Sequence, residues 1–251
     1  MKIIRFESKG KLAWGIVREK GIQIITGDIY TGISETKEIT PLEEAKILPP
    51  VSPSKIIGVG YNYFELTKES KSKVPEEPLL FFKPPSASIG HLDHIIYPPH
   101  TNRVHYEGEL GVVIGRKAKD VEENQALDYV LGYTIVNDIT ATDYLEKDRQ
   151  QTTRVKGFDT FCPVGPVIAT GLDPDHLSLE TRLNGKTVQS SNTKDLIFKT
   201  AQLVSFISKV MTLWPGDLIA TGTPPGSGPI KRGDVLEVEI EGIGILKNFV
   251  S

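Results

Sequence analysis

A short apolar run begins directly after two closely spaced glutamates, and this arrangement restricts the folds that the chain can adopt. Residues 110–114 are apolar and partly β-branched and end at Gly115, so they predict a buried strand. Glu107 and Glu109 stand at its beginning, and alternate residues of a strand share one face, so the two carboxylates should point the same way. Two like charges beside a core would cost several kcal/mol unless a cation or a proton offset them.

Two interpretations of this pair follow from the residues alone. The commoner source of an isolated Glu-x-Glu is an exposed edge strand with two solvated side chains. The other is a site for a hard divalent cation, Mg²⁺ or Mn²⁺, which carboxylate oxygens favour over Zn²⁺. A second series, Glu237, Glu239 and Glu241, alternates with apolar residues and is therefore predicted to face solvent. The first pair differs because its carboxylates open an apolar strand.

Composition narrows the class of protein. With 251 residues, 39% hydrophobic and 24% charged, the chain suits one large globular domain with a small appendage. A net charge of −3 gives no electrostatic reason to expect a nucleic-acid or membrane partner. Cys162 is the only cysteine, which excludes an intrachain disulfide and favours a packed thiol. Because we find neither a signal segment nor an apolar run of membrane-spanning length, we expect a cytoplasmic protein.

Turn residues divide the chain into a small amino-terminal part and a larger remainder. Short strands are predicted at 2–6, 12–17 and 22–26, separated by glycine-containing turns. Prolines at 49, 50 and 53 then form a stiff connector. We therefore predict a small N-terminal β-domain over 1–48 and a second domain over 49–251.

The second domain combines several strands with few helices. Strands are predicted at 56–59, 133–136 and 218–221, a hairpin turn at Asn184-Gly185, and an amphipathic helix over 200–213. The hydrophilic stretch 67–77 suits either a solvated loop or a mobile lid, and the apolar run 79–82 that follows has the character of core.

Three further positions are candidates for function, each with an ordinary alternative. Asp138 ends a strand, where a carboxylate acts either as a helix cap or as a ligand. Lys156 precedes Gly157, which suits a ligand held against the backbone as well as a surface lysine beside a turn. Thr223 lies in the loop 222–229, which either binds a carboxylate or forms a long rigid turn.

Four sequence blocks together carry a family resemblance. They are His-Tyr-Glu-Gly-Glu-Leu-Gly-Val-Val-Ile-Gly (105–115), Gly-Tyr-Thr-Ile-Val-Asn-Asp (132–138), Lys-Gly-Phe-Asp-Thr-Phe-Cys-Pro-Val-Gly-Pro (156–166) and Pro-Gly-Asp-Leu-Ile-Ala-Thr-Gly-Thr-Pro (215–224). Over about residues 55 to 250 the chain resembles the fumarylacetoacetate hydrolase superfamily, within it the 2-hydroxyhepta-2,4-diene-1,7-dioate isomerases and related decarboxylases. The resemblance implies a mainly β fold with a few helices, a mixed β-roll or β-sandwich catalytic domain, and a homodimer.

The resemblance also implies roles for individual residues. It makes Glu107, Glu109 and Asp138 the ligands of Mg²⁺ or Mn²⁺. It places Lys156 in the catalytic site and makes Gln151, Thr223 and Tyr61 substrate contacts. The implied substrate is a small 2-oxo or 2-hydroxy-dienoic carboxylic acid, which reacts through an enolate that the cation stabilises.

One departure from the family pattern bears on the reaction. Many hydrolytic or decarboxylating members have Asn-Tyr-x-x-His-x-x-Glu, whose His and Glu activate water. Here Leu66 stands in the histidine position, although Glu69 remains as a catalytic candidate. Leucine carries no titratable proton, so we predict an isomerase, with a decarboxylase or a carbon–carbon hydrolase of acylpyruvates or fumarylacetoacetate second and a non-enzymatic binding protein third. His91 or His94 replaces the missing histidine if the fold brings either of them close.

Overall fold

The computed structural model describes residues 1–69, 73–147 and 151–251, and within them the fold is mainly β with a few helices, as predicted. The strands are β1 Lys2–Ser8, β2 Lys11–Arg18, β3 Gly21–Asp28, β4 Gly32–Thr40, β5 Lys46–Ile47, β6 Ile56–Gly60, β7 Leu79–Lys83, β8 Ser88–Ile89, β9 His94–Ile95, β10 Val104–Tyr106, β11 Gly108–Ile114, β12 Val130–Asn137, β13 Thr140–Ala141, β14 Cys162–Ala169, β15 Ser178–Leu183, β16 Lys186–Asn192, β17 Leu218–Ala220, β18 Gly228–Ile230, β19 Val235–Ile240 and β20 Gly244–Val250. The α-helices are α1 Phe64–Glu69, α2 Asp143–Lys147, α3 Thr152–Lys156 and α4 Thr200–Val210, and short 3₁₀ helices cover Leu42–Glu44, Pro85–Ala87, Glu123–Tyr129 and Thr193–Asp195. No helix within the described ranges is long and apolar enough to cross a membrane.

A large sheet places the predicted buried strand in its interior. Its order is β4-β3-β2-β1-β14-β12-β11-β17-β6-β7, so β11 lies between β12 and β17. Every residue of β11 is buried. The edge-strand interpretation of the first Glu-x-Glu is therefore wrong, because this strand has a partner on each side.

Both faces of β11 pack against apolar side chains. Leu110 and Val112 belong to a cluster that also contains Val204 of α4 and Val238 of β19. Val113, on the other face, packs in a second cluster with residues of β6, β12 and β14. Burial on both faces explains why this strand is a continuous apolar run rather than an alternating one.

A five-stranded sheet and a three-stranded sheet complete the fold. The five-stranded sheet has the order β16-β15-β19-β20-β9, and the three-stranded sheet has the order β13-β10-β18. The predicted hairpin joins β15 to β16, and Asn184 and Gly185 have φ of 52° and 79°, as its tight turn requires. The predicted helix corresponds to α4.

The amino-terminal strands continue the large sheet. Strand β1 pairs with β14 through Lys2 with Ala169 and Ile3 with Ile168. The three predicted strands are present. Strand β4 is a fourth that the sequence pattern does not predict, because it is mostly polar and exposed at the edge of the sheet. The division into domains 1–48 and 49–251 stays a prediction.

Strand β7 departs from its expected environment. Residues 79–82 are apolar, yet Leu79 is 52% and Phe82 49% exposed. β7 lies at the end of the large sheet opposite β4, so one edge of it has no neighbouring strand among the described residues. Only Lys83, its last residue, is fully buried.

Candidate active site

The junction between β10 and β11 brings the first carboxylates to a neighbouring strand. Glu107 is the single residue between these strands, and its N–H donates to Asn137 Oδ1 at 3.0 Å. Its carbonyl accepts the N–H of Asp138 at 2.8 Å. Strand β12 is antiparallel to β11, so Asp138, the residue after β12, lies directly beside Glu107.

Three carboxylates converge at this point. One oxygen from each of Glu107, Glu109 and Asp138 lies within 4.8 Å of the others. Glu109 is 2% exposed and Asp138 is completely buried, whereas 17% of the Glu107 side chain is exposed. The structure thus brings together the three residues predicted as metal ligands and leaves the cluster open beside Glu107.

Two lysine ammonium groups balance part of this charge. Lys156 Nζ lies 2.7 Å from Glu107 Oε2 and 2.6 Å from Asp138 Oδ2. Lys83 Nζ lies 2.6 Å from the other oxygen of Asp138, Oδ1, and donates to the carbonyls of Ile139 at 3.2 Å and Lys156 at 2.7 Å. When all five groups are ionised, the three carboxylates and two ammonium groups leave one net negative charge in a buried place.

Burial and mutual repulsion shift the pKa values of the glutamates. Burial raises the pKa of Glu109 well above its usual range, and the charges of Asp138 and Glu107 raise it further. Burial also raises the pKa of Glu107, although Lys156 opposes this. The pKa of Asp138 is lowered, because Lys156 and Lys83 outweigh the effect of burial.

The donor set fits a hard divalent cation. All three converging ligands offer carboxylate oxygens, and the residual negative charge favours a cation. Burial raises the pKa of Cys162 to about 12, so this nearby sulfur stays a thiol and offers no thiolate ligand. The residues therefore fit Mg²⁺ or Mn²⁺.

Hydrogen bonds from surrounding elements hold the carboxylates. The Thr140 hydroxyl donates to Glu107 Oε1 at 2.8 Å, and the Gly222 N–H donates to Glu109 Oε2 at 2.8 Å. The Gly222 bond comes from the loop that follows β17, so this loop directly orients one of the candidate ligands. Such contacts keep ligating oxygens in place before a cation or substrate arrives.

The remaining predicted residues lie in different settings. Thr223 is almost buried, and its hydroxyl donates to the Gly108 carbonyl at 3.0 Å. Tyr61 is 53% exposed with φ of 53°, immediately after β6. Gln151 is exposed at the start of α3, the helix that ends with Lys156. Glu69 ends α1, and its side chain lies outside the part of the chain that the structure describes.

The histidines considered as replacements contact the carboxyl-terminal strand instead. His91 Nδ1 accepts the N–H of Lys247 at 3.2 Å, and His94 Nδ1 lies 2.5 Å from Ser251 Oγ. Burial lowers the pKa of His91. These contacts give no support to a histidine in place of Leu66.

Two buried polar residues beside the site are not among the positions predicted from the sequence. Lys83 ends an apolar strand before a proline, and a lysine in that context is a signal for a buried ion pair. Gln189 is 1% exposed and contacts Gly108 and Thr223, yet it follows the hairpin turn in an otherwise polar segment. No local pattern distinguishes it from its exposed neighbours.

Fold and site together define a mainly β protein of the fumarylacetoacetate hydrolase class. The model of the fumarylacetoacetate hydrolase C-terminal family matches residues 55–251, and a model described as Rv2993c-like, N-terminal, matches residues 1–50. The chain belongs to the fumarylacetoacetate hydrolase family, whose members are generally enzymes.

Relatives within this family carry several activities in their names. The chain is 36% identical to the mitochondrial oxaloacetate tautomerase Fahd2a of Rattus norvegicus, over 99% of this chain and 79% of that protein. It superposes on a 2-hydroxyhepta-2,4-diene-1,7-dioate isomerase from Mycobacterium marinum with a TM-score of 0.93 and 41% identity, covering 100% of this chain and 98% of the other. A fumarylacetoacetate hydrolase from Exiguobacterium antarcticum matches with a TM-score of 0.87 and 35% identity, covering 100% and 99%.

Proposed function

We propose that this protein is an Mg²⁺- or Mn²⁺-dependent isomerase that interconverts the enol and oxo forms of a small 2-oxo or 2-hydroxy-dienoic dicarboxylic acid. The observation that carries the proposal is the buried cluster of Glu107, Glu109 and Asp138 with two lysines. A 2-oxo acid presents a carboxylate and an adjacent oxygen, both of which suit a hard cation. The isomerase and tautomerase among the relatives support this reaction class.

The three carboxylates would hold the cation, which when bound would supply a Lewis acid that polarises the 2-oxygen of the substrate. The protein's own contribution is to orient these ligands. Thr140 fixes Glu107, Gly222 fixes Glu109 and Lys83 fixes Asp138, each from a different part of the fold. A site whose ligands are already oriented requires little reorganisation when the substrate enters.

Lys156 would supply positive charge to the reacting substrate. Burial alone would lower its pKa, but the charges of Asp138 and Glu107 outweigh burial and raise the pKa. The amine therefore stays protonated and is a poor base. We assign it to stabilise negative charge on a substrate oxygen, on the open side of the cluster beside Glu107.

The residue at position 66 favours isomerisation over hydrolysis. Hydrolysis requires an activated water, whereas isomerisation only moves a proton within the substrate. Leu66 lies on α1 and has no group that exchanges protons, so the His and Glu pair of hydrolytic or decarboxylating relatives is incomplete. The same carboxylate cluster would serve a hydrolase or a decarboxylase, which makes these reactions the alternatives to test.

The direct test is a screen of 2-oxo and 2-hydroxy-dienoic acids, including oxaloacetate, with the purified protein and Mg²⁺ or Mn²⁺. Isomerisation, carbon dioxide release and carbon–carbon cleavage are followed separately, with EDTA-treated protein as the control. We expect metal-dependent isomerisation to dominate. Rapid Mg²⁺-dependent hydrolysis of acylpyruvates or fumarylacetoacetate would contradict this preference, and a failure to bind Mg²⁺ or oxalate would favour a non-enzymatic binding protein.

The resemblance to dimeric family members leads us to propose that the enzyme acts as a homodimer. Sedimentation velocity tests this assembly at the protein concentrations used for activity. A single species with the mass of one chain would contradict it.

A further inference from the structure

Gln189 forms a buried polar contact between two sheets. It lies on β16, the first strand of the five-stranded sheet, and is the only fully buried residue of that strand. Its Oε1 accepts the N–H of Gly108, on β11 of the large sheet, at 3.1 Å. Its Nε2 donates to Thr223 Oγ1 at 2.8 Å and to the Pro224 carbonyl at 2.9 Å.

These bonds close a ring that includes the residue between two candidate metal ligands. Gly108 donates its N–H to Gln189, Gln189 donates to the Thr223 hydroxyl, and that hydroxyl donates back to the Gly108 carbonyl at 3.0 Å. A buried amide costs free energy unless its hydrogen bonds are made, and here both ends of the amide are satisfied. Gly108 has no room for a side chain, because an added Cβ would lie 2.3 Å from Thr181 Oγ1.

The ring determines which hydrogen-bond donor of Thr223 stays available to a ligand. Its hydroxyl hydrogen is committed to Gly108, so the hydroxyl offers a ligand no free hydrogen. The neighbouring Gly222 N–H is committed to Glu109. The Thr223 N–H, in contrast, has no hydrogen-bond acceptor within residues 1–69, 73–147 and 151–251.

The rest of the loop is pressed against the same strand. An added Cβ at Gly226 would lie 2.2 Å from the Val188 carbonyl, next to Gln189 in β16. The Tyr106 hydroxyl donates to the Gly226 carbonyl at 2.7 Å. The loop is therefore held at Thr223 and at Gly226, which leaves the Thr223 N–H little freedom of direction.

We propose that Gln189 is a positioning residue that commits the Thr223 hydroxyl to the fold and presents the Thr223 backbone N–H to the carboxylate of the substrate. This inference rests on the proposed function, because it requires a carboxylic acid bound at the carboxylate cluster. Backbone N–H groups are effective donors to carboxylates, and a rigid loop reduces the entropic cost of binding. Gln189 acts through Thr223 and does not contact the substrate itself.

The first test separates substrate binding from cation binding in the variant Gln189→Met, measured by calorimetry with Mg²⁺ alone and then with oxalate on the Mg²⁺-loaded protein. We expect oxalate affinity to fall about tenfold or more, with Mg²⁺ affinity within about twofold of wild type. The matched control is Gln23→Leu. Gln23 lies on β3, far along the large sheet, and its side chain donates to the Thr36 carbonyl of β4 at 2.9 Å. This substitution should change neither affinity.

Three outcomes would overturn the inference. Unchanged oxalate affinity in Gln189→Met would exclude the positioning role, and equal losses of Mg²⁺ and oxalate affinity would reduce Gln189 to a general structural residue. Wild-type protein that binds Mg²⁺ but not oxalate would contradict the proposed substrate class and this inference with it. The first of these outcomes would leave the proposed function standing, because the wild-type protein would still bind oxalate.

One further measurement keeps the inference testable if Gln189→Met fails to fold. In wild-type protein, the amide NMR signal of Thr223 should shift on oxalate addition more than that of Gly222; an unmoved Thr223 signal would exclude its N–H as the donor. If Gln189→Met folds, the double variant Gln189→Met with Thr223→Val should lose no more oxalate affinity than whichever single variant binds oxalate more weakly, because both substitutions break the same ring. Additive losses would assign the hydroxyl itself to the substrate.

Discussion

Lys83 and Asp138 form an ion pair in which Nζ lies 2.6 Å from Oδ1 and neither side chain is exposed. The pair fixes one oxygen of Asp138, while its other oxygen faces Lys156 at 2.6 Å. A buried ion pair need not stabilise a fold relative to apolar residues, but the loss of one partner leaves an uncompensated charge. The pair therefore holds the positive charge of the Lys83 ammonium group against the candidate metal ligand Asp138.

Lys83→Met should reduce the free energy of unfolding by about 3 kcal/mol or more, because Asp138 would stay buried without this partner. Urea denaturation monitored by circular dichroism measures the change. The control Lys209→Met removes an exposed lysine 3.5 Å from Glu122, which should cost less than about 0.5 kcal/mol. A Lys83→Met variant as stable as this control would show that the Asp138 charge does not need Lys83 as a partner.

Glu109→Gln should abolish Mg²⁺ binding with little loss of fold. The substitution keeps the shape and an oxygen that accepts the Gly222 N–H, but it removes the charge that a hard cation requires. Isothermal calorimetry measures the affinity. Glu239→Gln is the matched control, because it changes the second Glu-x-Glu series, where the carboxylate pairs with Arg182 at 2.8 Å. Full Mg²⁺ affinity in Glu109→Gln would remove Glu109 from the ligand set.

The stability of EDTA-treated protein should depend on pH through Glu109. Because its pKa is raised by burial and by neighbouring carboxylates, the folded protein binds more protons than the unfolded chain between the ordinary pKa of glutamate and the raised one. The free energy of unfolding should therefore fall as pH rises through that window, and Glu107 contributes with the same sign. Asp138 contributes with the opposite sign, below the ordinary carboxylate pKa, since its pKa is lowered.

Urea titrations at several pH values from about 5 to about 8 test this dependence. Glu109→Gln should flatten the profile, because it removes the proton-binding group. Mg²⁺ affinity of the wild-type protein should weaken as pH falls, since protons compete for the same oxygens. A profile of equal slope in wild type and variant would contradict the assignment to Glu109.

Leu66→His should introduce hydrolysis of acylpyruvates, because it restores a proton-exchanging group three residues before Glu69 on α1. General acid and base catalysis contributes roughly a hundredfold or more, so a rise of that order over the wild-type hydrolytic rate is expected. The double variant Leu66→His with Glu69→Gln should lose the gain. An unchanged hydrolytic rate in the single variant would mean that position 66 does not decide the reaction.

Much of the fold follows from local patterns. The apolar run of β11, the Asn184-Gly185 turn and the amphipathic α4 are confirmed, because periodicity and turn chemistry depend on residues adjacent in the chain. Strand β4 is not predicted, because it is mostly polar and exposed at the edge of the sheet. The apolar run of β7 predicts a core strand, yet at the end of the sheet two of its large side chains are about half exposed.

Local patterns predict most of the strands and α4, and the family blocks single out the three carboxylates and Lys156. The groups that surround these residues depend on the tertiary structure. Lys83 reaches the Lys156 carbonyl 73 residues away, and Gln189 reaches Gly108 81 residues away. Such contacts depend on the register and stacking of sheets, which no local pattern encodes, and burial then makes each polar group require its partner. Glu107 and Glu109, which in isolation suit an exposed edge strand, therefore lie at the centre of the site once the sheets are assembled.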